Sequence, residues 1–163
     1  MTVKRMTQLS LLTAAALVLY VIELRLPEPV PISGVKLGLA NIITVVAVYR
    51  FTPSETVMLV IARVLLGSLF AGNMSALLFS ACGAVFCLIG MLLVKQVLSV
   101  RYLALCSVLG AMFHNVGQIL AAFAVMKSVG VFAYLPILMV TGGIAGLFTG
   151  LCGQAVERRI RRL

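Results

Sequence analysis

Residues 104–126 read ALCSVLGAMFHNVGQILAAFAVM, about 34 Å of α-helix without a formal charge, enough to cross the ~30 Å hydrocarbon core of a bilayer. Hydrocarbon offers the backbone no water, so a spanning segment must be a helix that satisfies its own N–H and C=O groups. The rest of the chain is written in the same way. Of its 163 residues 63% are hydrophobic and 10% charged, with no Trp and a mean hydropathy of +1.19. An average soluble domain is about 45–50% apolar and 25% charged. At about 20 residues per span, the chain has room for at most seven or eight spans and none for a soluble catalytic domain.

Six apolar segments follow, over residues 6–22, 36–49, 54–71, 75–94, 104–126 and 134–156. They predict an all-α, polytopic membrane protein: one domain over residues 1–163, a compact bundle of six transmembrane helices. The second and third segments are short, which calls for little tilt or a locally thinned bilayer. Lys4 and Arg5 before an apolar run resemble a signal peptide. However, Ala14, Ala15 and Ala16 fall mid-run and no cleavage site precedes Glu23, so the segment reads as a retained first span. Cys82, Cys87, Cys106 and Cys152 lie inside apolar segments and never form C-x-x-C, which indicates neither a disulfide framework nor a zinc site.

Thirteen Lys and Arg against four Glu give a net charge of +9. In a soluble protein that balance suggests a nucleic-acid partner, but here the cations cap apolar segments, so no nucleic acid is expected. With the N-terminus inside, Lys4, Arg5, Arg50, Lys95, Arg101, Arg158, Arg159, Arg161 and Arg162 fall on the cytoplasmic side. Arg25, Lys36 and Lys127 fall outside, and Arg63 lies within the membrane. The positive-inside rule then puts both termini in the cytoplasm.

The first connection, residues 23–35, reads ELRLPEPVPISGV. Alternating Pro27, Pro29 and Pro31 exclude helix and favour an extended, polyproline-like path. With Glu23, Arg25 and Glu28 it reads either as a stiff external lid or as a plain linker between spans.

Ionisable groups inside spans are costly, and they point to function by default. Arg63 is the clearest, about 13 Å into its span. It reads as a fixed cation for an anionic or carbonyl-bearing ligand, or as a structural arginine capped by carbonyls or by Glu23. His114, Asn115 and Gln118 fall on one helix face, either lining a cavity or gluing helices together. A neutral His114 can donate to a ligand oxygen or shuttle a proton. In GVKLGLAN, residues 34–41, Lys36 lies near the outer surface and Asn41 deeper, with Gly34 and Gly38 allowing close backbone approach. Lys36 either snorkels to the interface or joins the site. Lys36, Asn41, Arg63, His114, Asn115 and Gln118 together outline an outward-opening, net-positive pocket suited to an anion.

Gly142, Gly146 and Gly150 recur every fourth residue, with Gly143 and Gly153 nearby, a flat stripe for close helix packing. Thr7, Ser10 and Ala14 form a weaker small-residue face that suits docking of another membrane subunit. No P-loop, dinucleotide fingerprint, intramembrane carboxylate pair or aspartate-rich magnesium motif is present. The expectation is a non-enzyme without a cofactor.

PISGVKLGLANIITVVAVY (31–49), HNVGQ (114–118) and TGGIAGLFTG (141–150) resemble the Gx transporter family, also labelled heptaprenyl diphosphate synthase component I. That family in turn resembles the substrate-binding S components of energy-coupling-factor (ECF) transporters. The resemblance implies six helices, an outward pocket beneath the first loop, and location in a bacterial cytoplasmic membrane. It also implies a helical face that docks shared transmembrane and ATPase subunits. Ser10-x-x-x-Ala14 stands where those S components carry A-x-x-x-A on the first helix. The implied function is capture of a small anionic or amphipathic molecule from outside. The alternatives are a quinone- or isoprenoid-binding subunit of a flavin-based electron-transfer system and an accessory subunit of prenyl diphosphate synthesis.

Overall fold

The computed structural model describes residues 2–26, 38–71 and 74–160. Among them the chain forms six α-helices and no strand: α1 (Val3–Arg25), α2 (Asn41–Arg50), α3 (Pro53–Ala71), α4 (Met74–Val97), α5 (Leu103–Met126) and α6 (Leu135–Ile160). Short 3-10 turns at Val100–Tyr102 and Val129–Tyr134 lead into α5 and α6. Five of the helices are long and apolar enough to cross a bilayer. Large apolar side chains such as Leu11, Leu69, Val140 and Ile144 point outward along them. This is a multi-pass membrane protein.

The exception is α2. A short span is expected over residues 36–49; Lys36 and Leu37 lie outside the described residues, and the helix starts only at Asn41. The cause is Gly38, whose φ of 73° is left-handed and available to glycine at little cost. The chain turns through Leu39 and Ala40 before helix begins. What remains is 10 residues, about 15 Å, half a bilayer core. Ile42, Ile43, Thr44, Val45, Val46 and Val48 are all β-branched and would favour a strand in water. Here each is buried, and a strand without neighbours would leave its polar backbone unpaired, so helix prevails.

Burial of α2 organises the bundle. It touches α1, α3, α4, α5 and α6, and Val45, Val46, Ala47 and Val48 are fully enclosed. Around it α1 packs on α3, α3 on α4, α4 on α5, and α5 on α6. The C-terminal end of α2 is fastened by three side chains. Lys95 donates to the Val48 carbonyl at 2.6 Å, Tyr49 donates to the Leu98 carbonyl at 3.1 Å, and Arg50 pairs with Glu157 at 2.6 Å. The next helix starts with a capping box: Thr52 and Glu55 exchange side-chain and backbone hydrogen bonds at 2.9 and 3.4 Å, with Pro53 at the first helical position. Arg5 pairs with Glu55 at 3.4 Å and lies over the Phe51 ring. Arg5, Arg50, Lys95, Arg101 and Arg158 thus gather at one end of the bundle, and Arg25 and Lys127 belong to the other.

The tightest packing runs along α4, α5 and α6 and is set by glycine. Gly117 lies against the backbone of Cys82 and Gly83, and Gly110 lies under Met91. The expected stripe on α6 faces α5: Gly142 meets Asn115, Gly146 meets Val108 and Ala111, and Gly150 meets Ala104 and Ser107. Ser107 and Thr149 share a hydrogen bond of 3.0 Å inside this seam. Small residues bring backbones together where hydrocarbon provides no hydrophobic drive between helices.

Two glycines three residues apart provide a test of the seam. A Cβ on Gly146 would stand 2.8 Å from the Val108 Cα and 3.0 Å from the Ser107 carbonyl, backbone that cannot yield; one on Gly143 meets only the Met112 methyl at 3.4 Å. Gly146→Ala should lower stability by about 1–3 kcal/mol and Gly143→Ala by much less, read as thermal unfolding in detergent.

Candidate functional site

Depth follows from counting along two helices that leave the same end. Arg63 is ten residues beyond Pro53, and Asn41 is nine residues back from Arg50. At 1.5 Å per residue both lie about 14–15 Å from the end where α2 hands over to α3, near the midplane. There the Arg63 Nη1 donates to the Asn41 Oδ1 at 3.4 Å. Both residues are buried, Arg63 to 8% exposure. The Arg63 Nε–H, also buried, finds no acceptor among the described residues. An N–H left unsatisfied in so apolar a setting costs roughly 1–3 kcal/mol, which a ligand oxygen would recover.

The negative side of the site is Glu23. Helix length and the turn before α2 place it: α1 is 23 residues long and reaches past the start of α2, and the turn at Gly38 leaves backbone N–H groups facing it. Its carboxylate accepts from the Gly38 N–H at 2.5 Å and the Leu39 N–H at 3.1 Å. An acidic group at a helix N-terminus also meets the positive end of the helix dipole. Glu23 is buried and lies within Coulombic range of Arg63, as do Tyr20 and Cys87. The Tyr20 ring packs on Gly67 of α3, one turn beyond Arg63. The centre is thus a buried cation and a buried anion around the start of a half-length helix, balanced in charge among the described residues.

The structure brings Glu23, Asn41 and Arg63 together. The His114 ring lies against Gly83, on the same face of α4 as Cys87 and one turn away, so it approaches the Arg63 side of α4. Asn115 turns to α6, where its Nδ2 donates to the Leu138 carbonyl at 2.5 Å. Gln118 is half-buried one turn further along α5. Arg25 is exposed at the end of α1. Lys36 and Glu28, and most of the expected lid, lie outside the described residues. Ser10 and Ala14 are exposed on α1 and line an outer groove of about 400 Å³ against α3.

Sequence reasoning missed Tyr20 and Cys87. A signal for Tyr20 was available: it stands three residues before Glu23, on one helical face, in an otherwise apolar run. Cys87 carried none, since buried cysteine is ordinary in such a core.

Glu23→Ala removes the acceptors of two half-buried N–H groups, at about 1 kcal/mol each, and leaves Arg63 without a countercharge that lies within its range. The Glu23→Ala, Arg63→Met double variant should lose less stability than the sum of the single losses. Thermal unfolding of the four proteins of that cycle measures the coupling directly.

Residues 12–156 match the family described as heptaprenyl diphosphate synthase component I. No curated protein and no solved structure matches the chain. The match spans most of the sequence, from α1 through α6, and so includes every helix that builds the Arg63 centre: this membrane protein belongs to the heptaprenyl diphosphate synthase component I family.

Proposed function

We propose that the protein is the membrane-embedded binding subunit of an ECF-type transporter, capturing a small anionic or amphipathic molecule from the outer side. It binds and carries out no chemistry. The observation that carries the reading is the buried Arg63 Nε–H, which lacks an acceptor among the described residues. A purely structural arginine, in so costly a position, is expected to spend all its donors on the protein. The half-length helix α2 supports the same reading, because discontinuous helices that end near the midplane are a device by which transporters build binding sites.

Arg63 and Asn41 hold the ligand, with His114, Asn115, Gln118 and Lys36 contributing from the surrounding helices. Glu23, Arg25 and Glu28 belong to the segment that closes above it. The protein sits in a bacterial cytoplasmic membrane with both termini in the cytoplasm, a reading supported by the cations gathered at one end of the bundle. Transmembrane and ATPase subunits supply the energy and dock on the α1 face that carries Ser10 and Ala14.

Mass spectrometry of small molecules released from the protein, purified in mild detergent, tests this reading. A ligand should be present in wild type and absent from Arg63→Ala, with Arg63→Lys intermediate because a single ammonium replaces the planar fork. Equal ligand content in wild type and a folded Arg63→Ala variant would refute it.

A further inference from the structure

The cations gathered at one end of the bundle are not all occupied. Arg5 pairs with Glu55 and lies over the Phe51 ring, Arg50 pairs with Glu157, and Lys95 donates to the Val48 carbonyl. Arg101 and Arg158 are exposed, and neither guanidinium has an acceptor among the described residues. Both line one cleft of about 210 Å³, together with Val100, Gln154 and Glu157. The cleft lies between the 3-10 turn that leads into α5 and the last turns of α6. Its two sides are tied by Gln154, whose Nε2 donates to the Arg101 carbonyl at 2.8 Å.

The charge of this cleft follows from the whole sequence. The chain has four acidic side chains, Glu23, Glu28, Glu55 and Glu157. Glu23 stands at the far end of α1, about 30 Å along the helix from Val3. Glu28 follows Leu26 by two residues, a reach of about 7 Å, and so stays with that far end. Glu55 is held by Arg5 and Thr52, and buried Glu157 carries Arg50 at 2.6 Å. With that pair cancelled, the cleft keeps the two positive charges of Arg101 and Arg158.

Apolar surface continues from the cleft into the bilayer. Leu105 follows Arg101 by four residues, and Leu151 and Leu147 precede Gln154 by three and seven. All three leucines are exposed. Met112, seven residues after Leu105, approaches the Gly143 position, four before Leu147, so the two stripes run along the same side of the α5–α6 seam. Tyr102, next to Arg101, is also exposed, and such rings settle at the headgroup level of a bilayer. The cleft is smaller than a whole-molecule site, about 300–1,000 Å³, and suits a charged headgroup whose chains stay outside.

We infer that this cleft seats an anionic phospholipid. The headgroup phosphate lies between Arg101 and Arg158, whose planar forks match its oxygens, and an acyl chain runs along Leu105, Leu151 and Leu147. The leucine stripe selects a lipid over a soluble phosphate. The seat is at the end of the bundle, and its occupant is a different molecule from any ligand of Arg63.

Native mass spectrometry of the full chain, released from nanodiscs of equimolar phosphatidylglycerol and phosphatidylcholine with identical chains, tests the seat. The two lipids share the phosphate and differ in net charge. Lipid retained by the wild type should be enriched about tenfold in phosphatidylglycerol. The Arg101→Gln, Arg158→Gln protein should lose that enrichment, and Arg101→Lys, Arg158→Lys should lower it severalfold while keeping the charge. Lys4→Gln, Arg159→Gln removes as much charge outside the cleft and should keep it within about twofold. Thermal unfolding shows that each variant is folded, and the single Arg101→Gln and Arg158→Gln variants replace the pair if it is not.

Equal loss in the cleft pair and in the Lys4, Arg159 pair would overturn the inference, because diffuse charge would then explain the preference. Absence of enrichment in the wild type would overturn it as well. Inorganic phosphate is the last arm: if it displaces the lipid and raises the unfolding temperature only when Arg101 and Arg158 are present, the cleft takes a soluble anion and the lipid assignment falls.

Discussion

A helix that starts in the middle of a bilayer must find partners for its first backbone N–H groups where there is no water to provide them. In this protein the requirement falls on α2: its Asn41 and Ile42 N–H groups donate to the Gly38 and Leu39 carbonyls, and the Glu23 carboxylate accepts from the N–H groups of that same turn. Much else follows. A carboxylate buried to that depth is tolerable only beside a positive charge, and Arg63 lies within Coulombic range from α3. Asn41, the first residue of α2, accepts from the guanidinium and joins the two groups. One backbone problem thereby assembles an anion, a cation and an amide at the centre of an apolar bundle.

The packing around this centre divides the protein into a close half and a loose half. Glycines on α4, α5 and α6 let three backbones approach within side-chain-free contact, which makes that side stiff. The border between α3 and α4 carries small alanines opposite valines and leaves a trough, as the border between α1 and α3 does, where the glycine seams are filled.

The sequence made the membrane class and the six helices readable because hydrocarbon imposes one rule on every backbone group. It also exposed the glycine stripe of α6, whose four-residue spacing the structure seats against α5. The length of α2 was not readable: an apolar run through Tyr49 looks like a span whether or not a left-handed glycine interrupts it. Arg63 stood out by its cost alone. That Glu23 would turn inward to cap α2, while Asn115 on the same face as His114 would spend its amide on the Leu138 carbonyl, depends on helix rotation. A single sequence fixes periodicity, and it leaves the phase of each helix against its neighbours open.

The two ends of α2 are held very differently, and this bears on how occupancy of the Arg63 centre is felt by the rest of the molecule. At the C-terminal end Lys95, Tyr49 and Arg50 bind α2 to α4, to the approach to α5 and to α6. Among the described residues the N-terminal end is held by Glu23 and by the long Asn41–Arg63 contact. A group that accepts from the Arg63 Nε–H would leave the Nη1–Asn41 contact in place and alter the field at Glu23. Its effect falls on the weakly fastened end of the helix, next to where the chain leaves for the 27–37 segment. The strongly fastened end, among the gathered cations, stays fixed. A change of field at the Arg63 centre would therefore be felt first at one end of one central helix that touches all the others.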